Sequence, residues 1–207
     1  MTDSNSITHE TYPDPHHDVY SKTILGFWLY ILTDFILFGV LFAVYAVLAN
    51  NTFGGPSGKD LFYMPSALIE TMLLLTSSFT IALAAVFVHR KQKGWTIGLF
   101  TITFLLGIAF MVMVFSEFNR IIAEGYSWET SGFLSAYFTL LGTLALHMLI
   151  ALLWILVLVI PVCYHGVNSI SVKRLTCLKM FWQFINIIWI FIFSFVYLIG
   201  VYQNARL

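Results

Sequence analysis

The sequence predicts an all-α fold, a polytopic membrane bundle of five transmembrane helices. Two observations predict it. Five long apolar runs, at roughly 23–49, 65–88, 96–119, 132–160 and 179–203, occupy most of the 207 residues. Each reaches or exceeds the ~20 residues a helix needs to cross a hydrocarbon core of about 30 Å. Lipid offers backbone groups no partners, so runs of this length must be helical, and they are too long and too uniformly apolar for barrel strands. Composition agrees: the chain is 59% hydrophobic and 10% charged, where a soluble domain carries about 25% charged residues. Lys+Arg and Asp+Glu both total 10, so the charge balance gives no sign of nucleic acid as a partner.

In chain order, residues 1–21 read as a polar, flexible cytoplasmic tail in which Pro13 and Pro15 oppose helix formation. Residues 22–207 read as the five-helix domain. The tail lacks a basic stretch ahead of the apolar run, so it is not a signal peptide, and the first helix is a retained span. His16-His17 with Asp14 and Asp18 has the residue types for loose metal binding, but a solvated tail is the simpler reading. After the first span, NNTFGGPSGKD (Asn50–Asp60) is dense in turn formers. Its glycines lack the phosphate-loop spacing and follow a membrane helix rather than a strand, which makes it a tight outer turn. Pro65 suits the opening of the second helix, and Pro161 stands where the fourth should end. Cys163 and Cys177 form no Cys-x-x-Cys motif and support neither a disulfide framework nor a thiolate metal site.

Lys and Arg set the orientation. With the N-terminus cytoplasmic and the C-terminus outside, the inner segments hold Lys22, Arg90, Lys91, Lys93, Lys173, Arg174 and Lys179. The outer segments hold only Lys59, Arg120 and Arg206, as the positive-inside rule requires. The connections are short, so the chain builds no extramembrane catalytic domain of its own.

Function therefore rests on polar groups kept at membrane depth. A charge at the bilayer centre costs about 2.5–3.5 kcal/mol on insertion scales, so such groups face protein or water. Asp34 lies near the middle of the first helix, with Tyr30 and Phe38 one turn to either side. It is either a proton-exchanging carboxyl or a neutral acid bonded to a neighbouring helix. Glu70, near the outer end of the second helix, shares a face with Ser77 and Ala84 and reads as an interhelical hydrogen-bonding group. Glu117, beside Asn119 and Arg120, reads as an interfacial boundary or salt-bridge residue. In the fourth helix Gly132, Ala136, Thr139, Thr143, His147 and Ala151 form one small-residue stripe. That stripe predicts a packing face opposite bulky positions such as Leu141 and Trp154, with His147 a hydrogen-bonded packing residue. The fifth helix adds Gln183, Asn186, Ser194 and Tyr197 as a polar seam, while Trp182 and Trp189 either pack or line a lipid groove. No second His stands at membrane depth, so the chain is not expected to hold haem or copper. Neither catalytic nor metal-binding residues are expected in it.

Six segments in order, FWLYILTDFILFGVLFAVYAVLAN, GGPSGKDLF, LIETMLLLTSS, SGFLSAYF, LHMLIALLW and FWQFINIIWIF, resemble subunit III of the haem–copper oxidases. The likeness is strongest to the five-helix form of bacterial cytochrome bo-type ubiquinol oxidases and covers roughly residues 22–203. The resemblance implies an accessory subunit without redox centres in the bacterial inner membrane. It would dock on subunit I, which holds haem and copper, and on the other subunits of a proton-pumping quinol oxidase. It implies a role in complex stability and sustained proton uptake, and a cleft that holds phospholipid. Asp34 falls where the family has a carbodiimide-reactive carboxylate, usually Glu, and Glu117 matches the family's acidic position near the end of its helix. His147 matches the second His of a Gly-x-His-x-x-His pattern whose first His is Leu144 here. The family's Trp-His-Phe-x-Asp reads Trp182-Gln183-Phe184-Ile185-Asn186. Gln and Asn keep hydrogen bonds but do not titrate, which leaves that seam a packing role. The competing readings are a subunit III-like component of a cytochrome c oxidase or nitric oxide reductase, and an independent proton-coupled transporter. Five helices give the latter no even inverted repeat.

Overall fold

The computed structural model describes residues 15–56, 58–90, 92–165 and 169–202. Among these, every regular element is helical: α1 (Pro15–Leu48), the single turn α2 (Gly58–Leu61), α3 (Met64–His89), α4 (Lys93–Ala123), α5 (Gly132–His165) and α6 (Ser169–Ile192). A π-helical turn (Phe193–Leu198) then leads into α7 (Ile199–Tyr202). Five stretches are long and apolar enough to cross a membrane: Lys22–Leu48, Met64–Val88, Lys93–Ala123, Gly132–Val162 and Val172–Leu198.

Each predicted span is present, and the differences lie at the ends. Residues 15–21, expected as tail, belong to α1. Proline is tolerated in the first helical turn, where its missing N–H would have no partner and its fixed φ suits the helix, so Pro15 opens α1 rather than opposing it. The rest of the predicted tail, and the side chains of the His16-His17 motif, lie outside the described residues. Pro161 does not end the fourth helix, which continues to His165. The last helix starts at Ser169, ten residues before the predicted 179. Its basic opening stretch is amphipathic, burying Leu175 and Leu178 while Arg174 stays exposed.

The ends have local causes. Pro65 lies in the first turn of α3, behind the extended residue Tyr63. Gly125, at φ 88, closes α4: its N–H bonds the Ile122 carbonyl, and the Tyr126 N–H bonds Ile121. Glycine takes this left-handed position without strain. The Asn50–Asp60 segment is a turn through Phe53 and Gly54, both at positive φ, followed by α2. The Arg120 guanidinium reaches across to the Leu61 carbonyl at 2.6 Å and caps that turn.

The three-residue connection Arg90–Gln92 folds α3 and α4 into an antiparallel hairpin. α5 packs on α4, α6 and α1, and α6 lies against both α3 and α5. The last span is the centre of the bundle, with 56% of its apolar window buried, whereas α1, at 17%, is peripheral. Trp182 and Trp189 are fully buried in this centre rather than lining a lipid groove.

The stripe on α5 packs along much of its length: Ala136 and Ala151 are buried, and His147 lies against Asp34 and Phe38 of α1. Thr139 is exposed, however, and the bulky Leu140, Leu141, Leu144 and Met148 are buried as well. α5 has helices on several sides, so its large residues fill the interior beside the small ones, and the closest approach of helices is not on the stripe. The tight crossing is instead at Gly107 of α4, where a Cβ would come within 2.8 Å of Trp182, 2.9 Å of Leu152 and 3.0 Å of Met148. Gly107→Val should destabilise the bundle by about 1–3 kcal/mol through overpacking, measured as a lower thermal midpoint for loss of helical signal in detergent.

Candidate functional site

Polar groups in this bundle fall into three sets. The first is a seam between α3 and α6. The Trp189 indole N–H donates to Thr71 Oγ1 at 3.0 Å, and the Trp182 N–H donates to Ser77 Oγ at 3.0 Å. Ser78 Oγ donates to Gln183 Oε1 at 2.8 Å. Thr71 and Ser77 in turn donate to carbonyls of their own helix, at Ala67 and Leu74, so each hydroxyl serves both helices. Thr80 and Thr103 join α3 to α4 at 2.8 Å. Gln183 thus faces another helix, as expected of the seam. Asn186 instead donates to the Trp182 carbonyl one turn back, and its Oδ1 is buried without a hydrogen-bond partner. Ser194 likewise bonds within its own helix, to Ile190.

The second set joins two residues that the sequence left separate. Asp34 of α1 is buried, and its Oδ2 lies 3.8 Å from Nε2 of His147 on α5. That is within ion-pair range but longer than a hydrogen bond. The His147 Nδ1 stands 2.8 Å from the Thr143 carbonyl. A carbonyl only accepts, so Nδ1 carries the hydrogen. The neutral ring then offers the Nε2 lone pair to Asp34. The geometry thus sets an imidazole acceptor beside a carboxyl, close enough for an ion pair. Aromatic rings screen it: Phe38, Phe181 and Phe184 have centroids 5.2, 6.1 and 6.5 Å from the imidazole. The Tyr30 hydroxyl, one turn before Asp34, also interacts with the carboxyl.

The third set corrects two expectations. Glu117 is buried rather than ion-paired: α4 continues for six residues beyond it, and its Oε2 accepts a hydrogen bond from the Tyr197 hydroxyl at 2.7 Å. Arg120 pairs at 3.6 Å with Glu124 instead. Glu70 is fully buried, yet neither carboxyl oxygen has a hydrogen-bond partner among the described residues, so the expected interhelical bond is absent. Tyr137 of α5 completes the group, its hydroxyl 3.1 Å from that of Tyr197. Tyr137 was missed in the sequence because tyrosine in an apolar run reads as core. Its hydroxyl was the available signal, since a buried phenol needs a partner.

Two apolar cavities flank α1. One of about 570 Å³ lies between α1 and the π-helical region, lined by Phe42, Tyr45, Ala46, Phe191 and Phe195 among others. Another of about 350 Å³, at the opposite end of α1, is lined by Phe27, Tyr30 and Trp154 with Lys173 and Arg174 at its edge. Among the described residues no cluster of three or more His, Cys, Asp or Glu could hold a metal ion.

Residues 4–201 match the family described as cytochrome c oxidase subunit III. Over 200 residues the chain is 45% identical to cytochrome bo(3) ubiquinol oxidase subunit 3 of Pseudomonas aeruginosa, covering 97% of this chain and 95% of that protein. It is 39% identical over 209 residues to cytochrome c oxidase subunit 3 of Bacillus sp. PS3, covering 97% and 99%. It is 38% identical over 185 residues to quinol oxidase subunit 3 of Bacillus subtilis, covering 86% and 87%. Similarity that runs through all five spans at this level places the chain in the subunit III family of the haem–copper quinol and cytochrome oxidases.

Proposed function

We propose that this chain is the accessory, non-redox subunit III of a quinol-oxidising, oxygen-reducing terminal oxidase in a bacterial inner membrane. The observation that carries the quinol assignment is the 45% identity to a ubiquinol oxidase subunit over nearly the whole chain. Haem and copper belong in this reading to subunit I, against which the chain docks. The surface suited to docking is apolar and extensive on α1, where Leu25, Leu29, Leu32, Ile36, Val40 and Val47 are exposed. In this reading the basic starts of α4 and α6 face the cytoplasm, with the N-terminus inside and the C-terminus outside; the excess of Lys and Arg in those connections supports it. The 570 and 350 Å³ cavities beside α1 suit acyl chains. Lys173 and Arg174 at the edge of the smaller one supply positive charge for a lipid phosphate.

The 39% identity to a cytochrome c oxidase subunit supports a second reading, in which the electron donor is cytochrome c. Membership of the family leaves the independent transporter without support. A purified oxidase depleted of this chain is expected to oxidise quinol at first and then lose turnover sooner than the intact complex. Equal initial rate and equal working lifetime without the chain would refute the accessory role.

Asp34 and His147 are assigned the proton-handling role of the subunit. Hydrophobic carbodiimide, which needs a carboxylic acid, should label Asp34 at near-neutral pH, and Asp34→Asn should abolish the label at that position. Mass mapping of the modified residue reads both outcomes. No labelling of Asp34 in intact, reagent-accessible protein would remove the exchanging-acid role.

A further inference from the structure

A second group of buried acids lies away from Asp34. Glu70 of α3 is completely buried with neither carboxyl oxygen hydrogen-bonded among the described residues. Only the Ser66 hydroxyl, one turn earlier, interacts favourably with it, outside strict hydrogen-bond geometry, which is little return for the lost water, so the position suits a proton or another ligand. Glu117 of α4 lies close enough that the two charges would repel. Two acids in one buried site do not both ionise; they hold a proton between them.

The surroundings fit proton exchange. The Tyr197 hydroxyl donates to Glu117 Oε2 at 2.7 Å. With that hydrogen committed, the contact of 3.1 Å to Tyr137 makes Tyr137 the donor and Tyr197 the acceptor. Both phenols therefore point their hydrogens toward Glu117. Tyr197 is seated by the π-helical turn Phe193–Leu198, a local widening of the helix found often at functional positions. A cavity of about 400 Å³, lined by Tyr63, Ser66, Met113, Ser116, Glu117 and Arg120, opens onto Glu117. It has room and polar walls for water, and Ser66 stands one turn before Glu70. The Arg120 guanidinium lines the same cavity, which favours a proton over a metal cation as the species taken up. The charged or titratable groups facing the site are thus Glu70, Glu117, Arg120, Tyr63, Tyr137 and Tyr197. Tyr137 is ten residues from His147 along α5, about 15 Å of helix axis, so the two acid sites are distinct.

We propose that Glu70 and Glu117 form a carboxyl pair that exchanges one proton with water through the cavity beside Ser66 and Arg120, at the end of the bundle that carries α2. On uptake a hydronium ion in the cavity transfers its proton to a carboxylate oxygen and becomes water; release reverses the step, with no change of oxidation state.

The test is infrared difference spectroscopy across pH on the membrane-purified protein with its associated subunits. A protonated-carboxyl C=O band that titrates and shifts in D₂O is expected. It should disappear in Glu70→Gln and persist in Asp34→Asn. Tyr197→Phe, which removes one hydrogen bond and little volume, should move the band or the pH at which it titrates. A band unchanged in Glu70→Gln overturns the assignment. If Glu70→Gln does not assemble, an unaltered band in Tyr197→Phe overturns it equally. A band that responds to added sodium or calcium at fixed pH also overturns it, in favour of a metal-ion site.

Discussion

Inside a bilayer, apolar helices gain little by leaving lipid for one another, so association rests on close packing and on the few hydrogen bonds between helices. Here that constraint is met by α3 and α6. Thr71, Ser77 and Ser78 meet Trp189, Trp182 and Gln183 across one seam. Such interhelical bonds contribute about 0.6–2 kcal/mol each, and their spacing fixes register as well as affinity. Because α6 is held here at the centre, α5 packs against a fixed wall and Gly107 admits the Trp182 ring. The seam is built of neutral groups, which suits anchoring: it cannot loosen when a proton arrives.

The titratable groups sit to either side of that anchor. Asp34 comes from the lightly held α1 and meets His147 on α5. Glu70 and Glu117 come from the α3–α4 hairpin and meet two tyrosines, one from α5 and one from the end of the last span. Each acid is brought to its partner by helices distant in sequence. A change in the packing of α1 therefore alters the Asp34–His147 separation without disturbing the seam. The cavities beside α1 mark where such packing is incomplete within the chain itself.

The five spans were legible because span length and apolar composition are properties of single segments. Asp34, Glu70, Glu117, His147 and Gln183 were legible as residues because any polar group in oil is conspicuous. Their partners were not. Nothing in the sequence states that Asp34 faces His147, since that depends on how α1 crosses α5. Glu117 was read as interfacial because Asn119 and Arg120 follow it, yet α4 runs on to Ala123 and carries Glu117 inward. The α5 stripe was legible in part: Ala136, His147 and Ala151 do meet neighbouring helices. A helix surrounded on several sides buries its large residues too, so Leu141 lies inside while Thr139 is exposed. Pro15 and Pro161 were read as breakers; one opens a helix and the other sits near the end of one, on a side free of other helices.

The π-helical turn at Phe193–Leu198 has a consequence for how the chain tolerates change. It holds one residue more than an α-helical path between the same ends requires. Removing one residue there would restore ordinary winding between the same two ends, so Ile199–Tyr202 would keep their phase and only the turn that seats Tyr197 would tighten. A deletion elsewhere in the span, by contrast, would rotate everything beyond it by about 100°. The extra residue thus makes this stretch the one place along the helix where a shortened chain is absorbed locally.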